Sequence, residues 1–223
     1  MNTTTQEHVS STIGGLAALI AAAPEAPEQI RGTAFAAREI SPRTNVPKRY
    51  RAEWQRPQLD PIWMGHFAKI MQKSEDGGIV ALIGPRGTGK TRFAAEAMRN
   101  YSPDKGNYTT AMGLFLRIRA SFGKASKESE DDIVSEMAKT QLLILDEVQE
   151  RGNSAWEDRI LTHILDRRYG AMAPTIVIAN LTEAALVDCL GDSIISRLTE
   201  TGGILEIDGP SYRIHNALKV KTR

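Results

Sequence analysis

The run Gly84-Pro85-Arg86-Gly87-Thr88-Gly89-Lys90-Thr91 has the spacing G-x-x-x-x-G-K-[ST] of a phosphate-binding loop. Its glycines let the backbone curl with N–H groups turned inward, and a helix that follows presents its positive end to the same phosphates. Lys90 is the cation for the β- and γ-phosphates of a nucleoside triphosphate, and the Thr91 hydroxyl is a ligand for Mg²⁺. Downstream, Leu142-Leu143-Ile144-Leu145 runs into Asp146-Glu147. Adjacent acids at the end of an apolar strand need a cation to justify them. Asp146 is expected to serve Mg²⁺ or its waters, and Glu147 to polarise an attacking water; on its own, Glu147 also reads as a surface acid. Asn180 closes the next apolar run, Thr175-Ile176-Val177-Ile178-Ala179, where its amide either orients that water or simply starts a turn. Arg197, taken alone, is a helix-end arginine.

These residues need a scaffold that brings several strand ends to one edge. Apolar runs at 79–83, 107–112, 141–145, 175–179 and 203–207 read as strands. Helical periodicity falls between them, near 90–100, 113–122, 128–139, 155–169, 182–189 and 192–199. Continuous apolar strands separated by helices predict an α/β fold, a parallel sheet covered on both faces. Ligands of such sheets sit at the C-terminal ends of the strands, where Asp146 and Glu147 fall. A further helix is expected from Pro61 to Lys73, stopped by Asp76-Gly77-Gly78.

The 223 residues suffice for one α/β domain with a modest appendage. A 41% hydrophobic and 25% charged composition is ordinary for a soluble globular chain. A net charge of +1 says nothing of a polyanionic partner. A lone cysteine, Cys189, excludes a disulfide framework and a cysteine-based zinc site, and fits a reducing cytoplasm. Residues 1–45, rich in Ala, Thr, Ser and Pro, are expected to form a helical or partly disordered arm, with the globular domain at 46–223. The apolar run 13–23 lacks the basic flank of a signal peptide and is too short to span a bilayer, so no membrane role is expected. Residues 31–56 are dominated by arginine and lysine, which suits either a solvated linker or an arm that contacts phosphates. Arg117, Arg119, Phe122, Lys124 and Lys127 mix cations with an aromatic ring, as single-stranded nucleic acid requires, although an acidic run starting at Glu128 follows at once.

Gly84–Thr91, Leu142–Glu147, Asn180, Ser196-Arg197-Leu198 and Pro210-Ser211-Tyr212-Arg213 together resemble the AAA+ ATPase module of bacterial DnaC/DnaI-type helicase loaders. The related IstB-type transposition ATPases share that core, and Ile164–Tyr169 favours the DnaC branch. The resemblance runs from Val46 to Arg213. It implies a five-stranded parallel sheet of order 5-1-4-3-2, and with 16 residues after the last expected strand the C-terminal helical lid of most AAA+ proteins is not expected. It implies a sensor role for Asn180, an arginine finger acting on a neighbouring subunit's nucleotide for Arg197, and a second sensor for Arg213. The segment 113–127 would contact single-stranded DNA, and adenine would fall to the region of Tyr50. The implied partners are a replicative DNA helicase, bound through the N-terminal arm 1–45, single-stranded DNA and further copies of the chain in a ring or spiral. The alternatives are an IstB-type ATPase that acts on duplex DNA with a transposase, a small-molecule kinase, and an adaptor that binds ATP without turnover.

Overall fold

The computed structural model describes residues 39–52, 61–123 and 125–209. Residues 1–38 of the expected arm, and Lys124, Arg213 and the Pro210–Arg213 run, lie outside the described residues. A 3₁₀ turn at Pro42–Thr44 is followed by α1 (Lys48–Arg51) and α2 (Pro61–Glu75). The chain then runs through β1 (Ile79–Ile83), α3 (Lys90–Tyr101), β2 (Asn107–Thr110), α4 (Ala111–Ser121) and α5 (Glu130–Lys139). It continues with β3 (Leu143–Asp146), a 3₁₀ turn at Val148–Glu150, α6 (Ala155–Gly170), β4 (Thr175–Ile178), α7 (Glu183–Leu190), α8 (Asp192–Thr201) and β5 (Gly203–Glu206).

All sheet pairings are parallel, in the order β2-β3-β4-β1-β5. Read from the other edge this is 5-1-4-3-2, the order implied by the resemblance. Alternation along the strands feeds two separate cores. Ile79, Ala81, Ile83, Leu143, Leu145 and Val177 point into a core built with α4 to α8. Val80, Leu82, Leu142, Ile144, Ile176 and Ile178 point to the other face, against α2 and α3. There Trp63 stacks on Phe67 and Phe93, with ring centroids 5.0 and 4.7 Å away. Each such fully buried large side chain contributes about 1.5–3 kcal/mol, so both layers matter to stability. Ile40 and Val46 are buried in this second core, and the Ser41 amide donates to the Pro103 carbonyl at 2.8 Å.

Local chemistry sets the helix starts. Ser129 with Asp132, and Ser154 with Glu157, form reciprocal capping boxes at α5 and α6. The expected strand 107–112 stops at Thr110 because the Thr110 hydroxyl accepts from the Gly113 amide and caps α4. Helix α4 therefore begins two residues before the expected 113.

Arg168 joins three elements from inside the protein. Its guanidinium, fully buried, donates to Thr175 Oγ1 (2.7 Å) and to the carbonyls of Met137 (2.8 Å), Thr140 (2.9 Å) and Pro174 (2.6 Å). The acceptors at Met137 and Thr140 belong to the C-terminal end of α5, where the helix dipole favours a cation. Burial pulls Arg168 down to about 10, which leaves it charged at neutral pH.

Candidate nucleotide-binding site

The C-terminal ends of β1, β3 and β4 open onto a cleft of about 1020 Å³. The phosphate loop forms one wall. Gly84 has φ +121°, and a Cβ there would meet the Ile207 carbonyl at 2.7 Å, so the loop's first turn needs glycine. Gly89, with φ +96°, turns the chain into α3. Lys90 is buried, and its ammonium bridges the Gly84 and Pro85 carbonyls at 2.7 Å each. The Thr88 hydroxyl bonds the Pro85 carbonyl at 3.0 Å and stiffens the same curl.

Asp146 is buried at the end of β3 and takes three hydrogen bonds. Thr91 Oγ1 donates to its Oδ2 at 2.8 Å, the Tyr108 hydroxyl donates to the same oxygen at 2.9 Å, and the Glu147 amide donates to Oδ1 at 2.8 Å. Burial, then the adjoining Asp146 charge, pushes the Tyr108 phenol well above its usual range, so it remains a donor. Glu147 follows in the left-handed region, φ 55° and ψ 45°, with its side chain exposed at the cleft. Gln149 bridges outward: its amide oxygen accepts from the Asn180 backbone at 3.2 Å, and its nitrogen approaches Glu150 Oε1 at 3.4 Å. Glu150 pairs with Arg86 of the phosphate loop at 2.9 Å. The ends of β1, β3 and β4 are thus linked across the mouth of the cleft.

The opposite lip is α1. Tyr50 and Arg49 line the cleft, with the Arg49 guanidinium 5.1 Å above the Tyr50 ring. Two arginines of α3 tether this lip. Arg92 donates to the carbonyls of Tyr50 (3.1 Å) and Ala52 (2.9 Å), and Arg99 to that of Arg51 (2.7 Å). The buried Glu96 lies between them, 3.3 Å from Arg92 and 2.9 Å from Arg99.

The donor set suits Mg²⁺. A hydroxyl and a carboxylate are hard oxygen ligands, and Mg²⁺ commonly takes one or two protein oxygens and completes its shell with phosphates and water. No cluster of three His, Cys, Asp or Glu residues able to hold a metal occurs among the described residues, so the protein offers no self-sufficient metal cage there.

Of the residues named from sequence, the fold brings Arg86, Gly87, Gly89, Lys90, Thr91, Asp146, Glu147 and Asn180 to one cleft. Gly84, Pro85 and Thr88 shape the loop behind it. Arg197 does not line the cleft. It sits on α8 with Nε 2.9 Å from Asp166 and NH1 2.6 Å from Ser193 Oγ, its guanidinium 5.7 Å from the Tyr169 ring. The expected nucleic-acid residues are largely engaged within the protein. Arg117 pairs with Glu128 and Glu136 at 2.6 Å each. Arg119 pairs with Glu157 at 2.9 Å and lies 5.7 Å from the Trp156 ring. Phe122 is exposed and meets the Trp156 ring in an edge-type contact, centroids 6.1 Å apart. Tyr108, Gln149 and Glu150 were not anticipated. Tyr108 was findable once β2 is known to flank β3, because strand alternation puts it on the face shared with Asp146.

The fold and this cleft define a P-loop nucleotide-binding domain. The family described as IstB-like ATP binding protein matches residues 55–220, and the chain belongs to that family. It is 28% identical to the replicative helicase loader DnaC of Escherichia coli K12 over 142 residues, 60% of this chain and 57% of that protein. It is equally 28% identical to the DnaC of Buchnera aphidicola from Acyrthosiphon pisum over 134 residues, 58% of this chain and 54% of the relative. The chain thus spans about half the length of the curated relatives it matches. Among solved structures it resembles the DnaC helicase loader (TM-score 0.57, 18% identity, 73% of this chain and 100% of that one). It also resembles AMPPCP-bound DnaA from Aquifex aeolicus (TM-score 0.58, 19% identity, 79% of this chain and 57% of that one). At these identities the structural likeness speaks to the fold.

Proposed function

We propose that this protein is an ATP-hydrolysing helicase loader, which binds a replicative DNA helicase and single-stranded DNA and works as an assembly of several copies. The observation that carries the hydrolytic part is the cluster at the strand ends, where Lys90, Thr91, Asp146, Glu147 and Asn180 meet in one cleft. The phosphate-loop amides and Lys90 hold the β- and γ-phosphates. Mg²⁺, when bound, neutralises charge on those phosphates, and Thr91 and Asp146 are the residues that would hold it. Glu147 takes the proton of the attacking water while Asn180 orients it, and Tyr50 provides a face for the base. Arg197, turned away from its own cleft, acts on the nucleotide of a neighbouring copy. The DnaC relatives support the helicase as partner. The exposed Phe122 beside Trp156 and Arg119 supports contact with single-stranded DNA through base stacking.

A second reading, an ATPase that acts on duplex DNA with a transposase, is favoured by the family to which the chain belongs. Size-exclusion co-elution with purified replicative helicases separates the two, in the presence of ATP and either single-stranded or duplex DNA. A helicase complex that responds to ATP and prefers single strands supports loading. Absence of any helicase complex, together with tight duplex binding, transfers the protein to the second reading. Lys90→Ala should abolish nucleotide binding by calorimetry without unfolding the chain; parental affinity in this variant would remove the phosphate loop from the account.

A further inference from the structure

The Asp146 carboxylate has a partner that the nucleotide chemistry does not require. Two hydroxyls donate to its Oδ2, one from Thr91 at 2.8 Å and one from Tyr108 at 2.9 Å. The second comes from β2, at the edge of the sheet, whose register sets Tyr108 beside Ile144 and Thr110 beside Asp146. Tyr108 and Asp146 therefore share one face and stand two positions apart. That offset, roughly 6.6–6.8 Å along a strand, is about the reach of a phenol laid toward the C-terminal edge. The ring packs against the core that contains Ile144, and the hydroxyl emerges at the carboxylate.

We propose that Tyr108 is a positioning residue for the metal subsite: by donating to Asp146 it fixes the carboxylate that orients the Thr91 hydroxyl, and so sets the site's affinity for Mg²⁺. The inference rests on the reading of the cleft as a Mg²⁺–nucleotide site. With the Thr91 proton committed to Asp146, the lone pairs of Thr91 Oγ1 turn toward the cleft, the arrangement a metal ligand needs. The Glu147 amide holds only the other oxygen, Oδ1. Without Tyr108, each carboxylate oxygen keeps one donor, Glu147 on Oδ1 and Thr91 on Oδ2, and the second restraint on Oδ2 is lost. The carboxylate and the Thr91 hydroxyl bonded to it are then held less firmly in direction. Groups that orient metal ligands in this way typically change metal affinity about 10–100-fold when removed.

Tyr108→Phe deletes the hydroxyl and keeps the ring. The test titrates MgCl₂ into the full-length protein with an ATP analogue that carries a ribose-linked fluorophore, followed by fluorescence anisotropy. A parallel arm measures nucleotide affinity in EDTA, and urea unfolding measures stability. The expected result is a rise of about 10-fold or more in the Mg²⁺ concentration at half-saturation, with metal-free affinity unchanged and a single cooperative urea transition retained. An unchanged Mg²⁺ midpoint overturns the proposal. So does a loss confined to stability and metal-free affinity, because that marks a sheet-packing role only. If the parent protein itself shows no Mg²⁺-dependent binding, the nucleotide reading of the cleft fails and this inference fails with it.

Discussion

In the proposed mechanism, Lys90 and Glu147 divide the chemistry of the cleft between holding and reacting. Lys90 is buried among backbone carbonyls, whereas Glu147 is exposed at the mouth. Glu147→Gln keeps shape and loses only the base, so the variant should bind ATP as the parent does while phosphate release falls about 10²-fold or more. Nucleotide binding and steady-state phosphate release, measured on one preparation, check both halves. Release at the parental rate would move the base elsewhere, with Asp146 the first alternative. The residues of the two motifs were legible in the sequence because loop and acid pair are contiguous, and contiguity fixes their geometry. Gln149 and Glu150 were not legible, because each becomes relevant only when the turn after β3 meets another strand end or the phosphate loop. Tyr108 needed the further step from strand order to the face it shares with Asp146.

The same distinction holds for elements. Strands were readable from runs of apolar residues, and the parallel arrangement from their alternation with helices. Local caps trimmed the boundaries: Thr110 ends β2 by turning its hydroxyl to the start of α4. The Ile164–Tyr169 run was visible as a sequence likeness but not as a structural device. In the fold, Asp166 and Tyr169 hold Arg197 from α8, and Arg168 satisfies carbonyls at the end of α5 and the start of β4. Arg168→Leu removes a donor to several buried acceptors at once, each costing about 1–3 kcal/mol when left unpaired. The expected loss is about 3 kcal/mol or more in urea unfolding, with ATP affinity of the folded fraction retained. A loss below about 1 kcal/mol would mean that water replaces the guanidinium. Ser154→Ala, which removes the cap of α6, should cost about 1 kcal/mol in the same assay.

At the scale of the whole molecule, the cleft has a phosphate loop and the proposed base Glu147 but no cation from its own α8. Arg197 is bound to Asp166 on the flank. A finger supplied in trans accelerates hydrolysis about 10³–10⁵-fold in well-studied cases, so its loss is easily measured. Lys90→Ala and Arg197→Ala should each be inactive alone and should recover activity when mixed, at interfaces where an intact loop meets an intact finger. Full activity of Arg197→Ala at dilutions that exclude assembly would leave Arg197 as a staple between α8 and α6. Truncation tests the N-terminal region in the same way. Because Ile40 is buried in the core, the cut belongs after residue 38 rather than at the composition break near Val46. The shortened protein should retain ATP hydrolysis and lose co-elution with the helicase; retained co-elution would place the helicase contact in the remaining body.

The backbone at Glu147 sets two kinds of selection against each other. Its φ of 55° lies where glycine and asparagine are at ease and a longer side chain costs about 1–3 kcal/mol. In the proposed mechanism, where Glu147 is the base, a chain screened only for heat resistance would drift toward Glu147→Asn and gain stability at the expense of hydrolysis. Thermotolerant variants from such a screen would therefore be enriched in intact, nucleotide-binding, inert molecules. A screen that also scores phosphate release would leave Glu147 in place and collect its gains elsewhere.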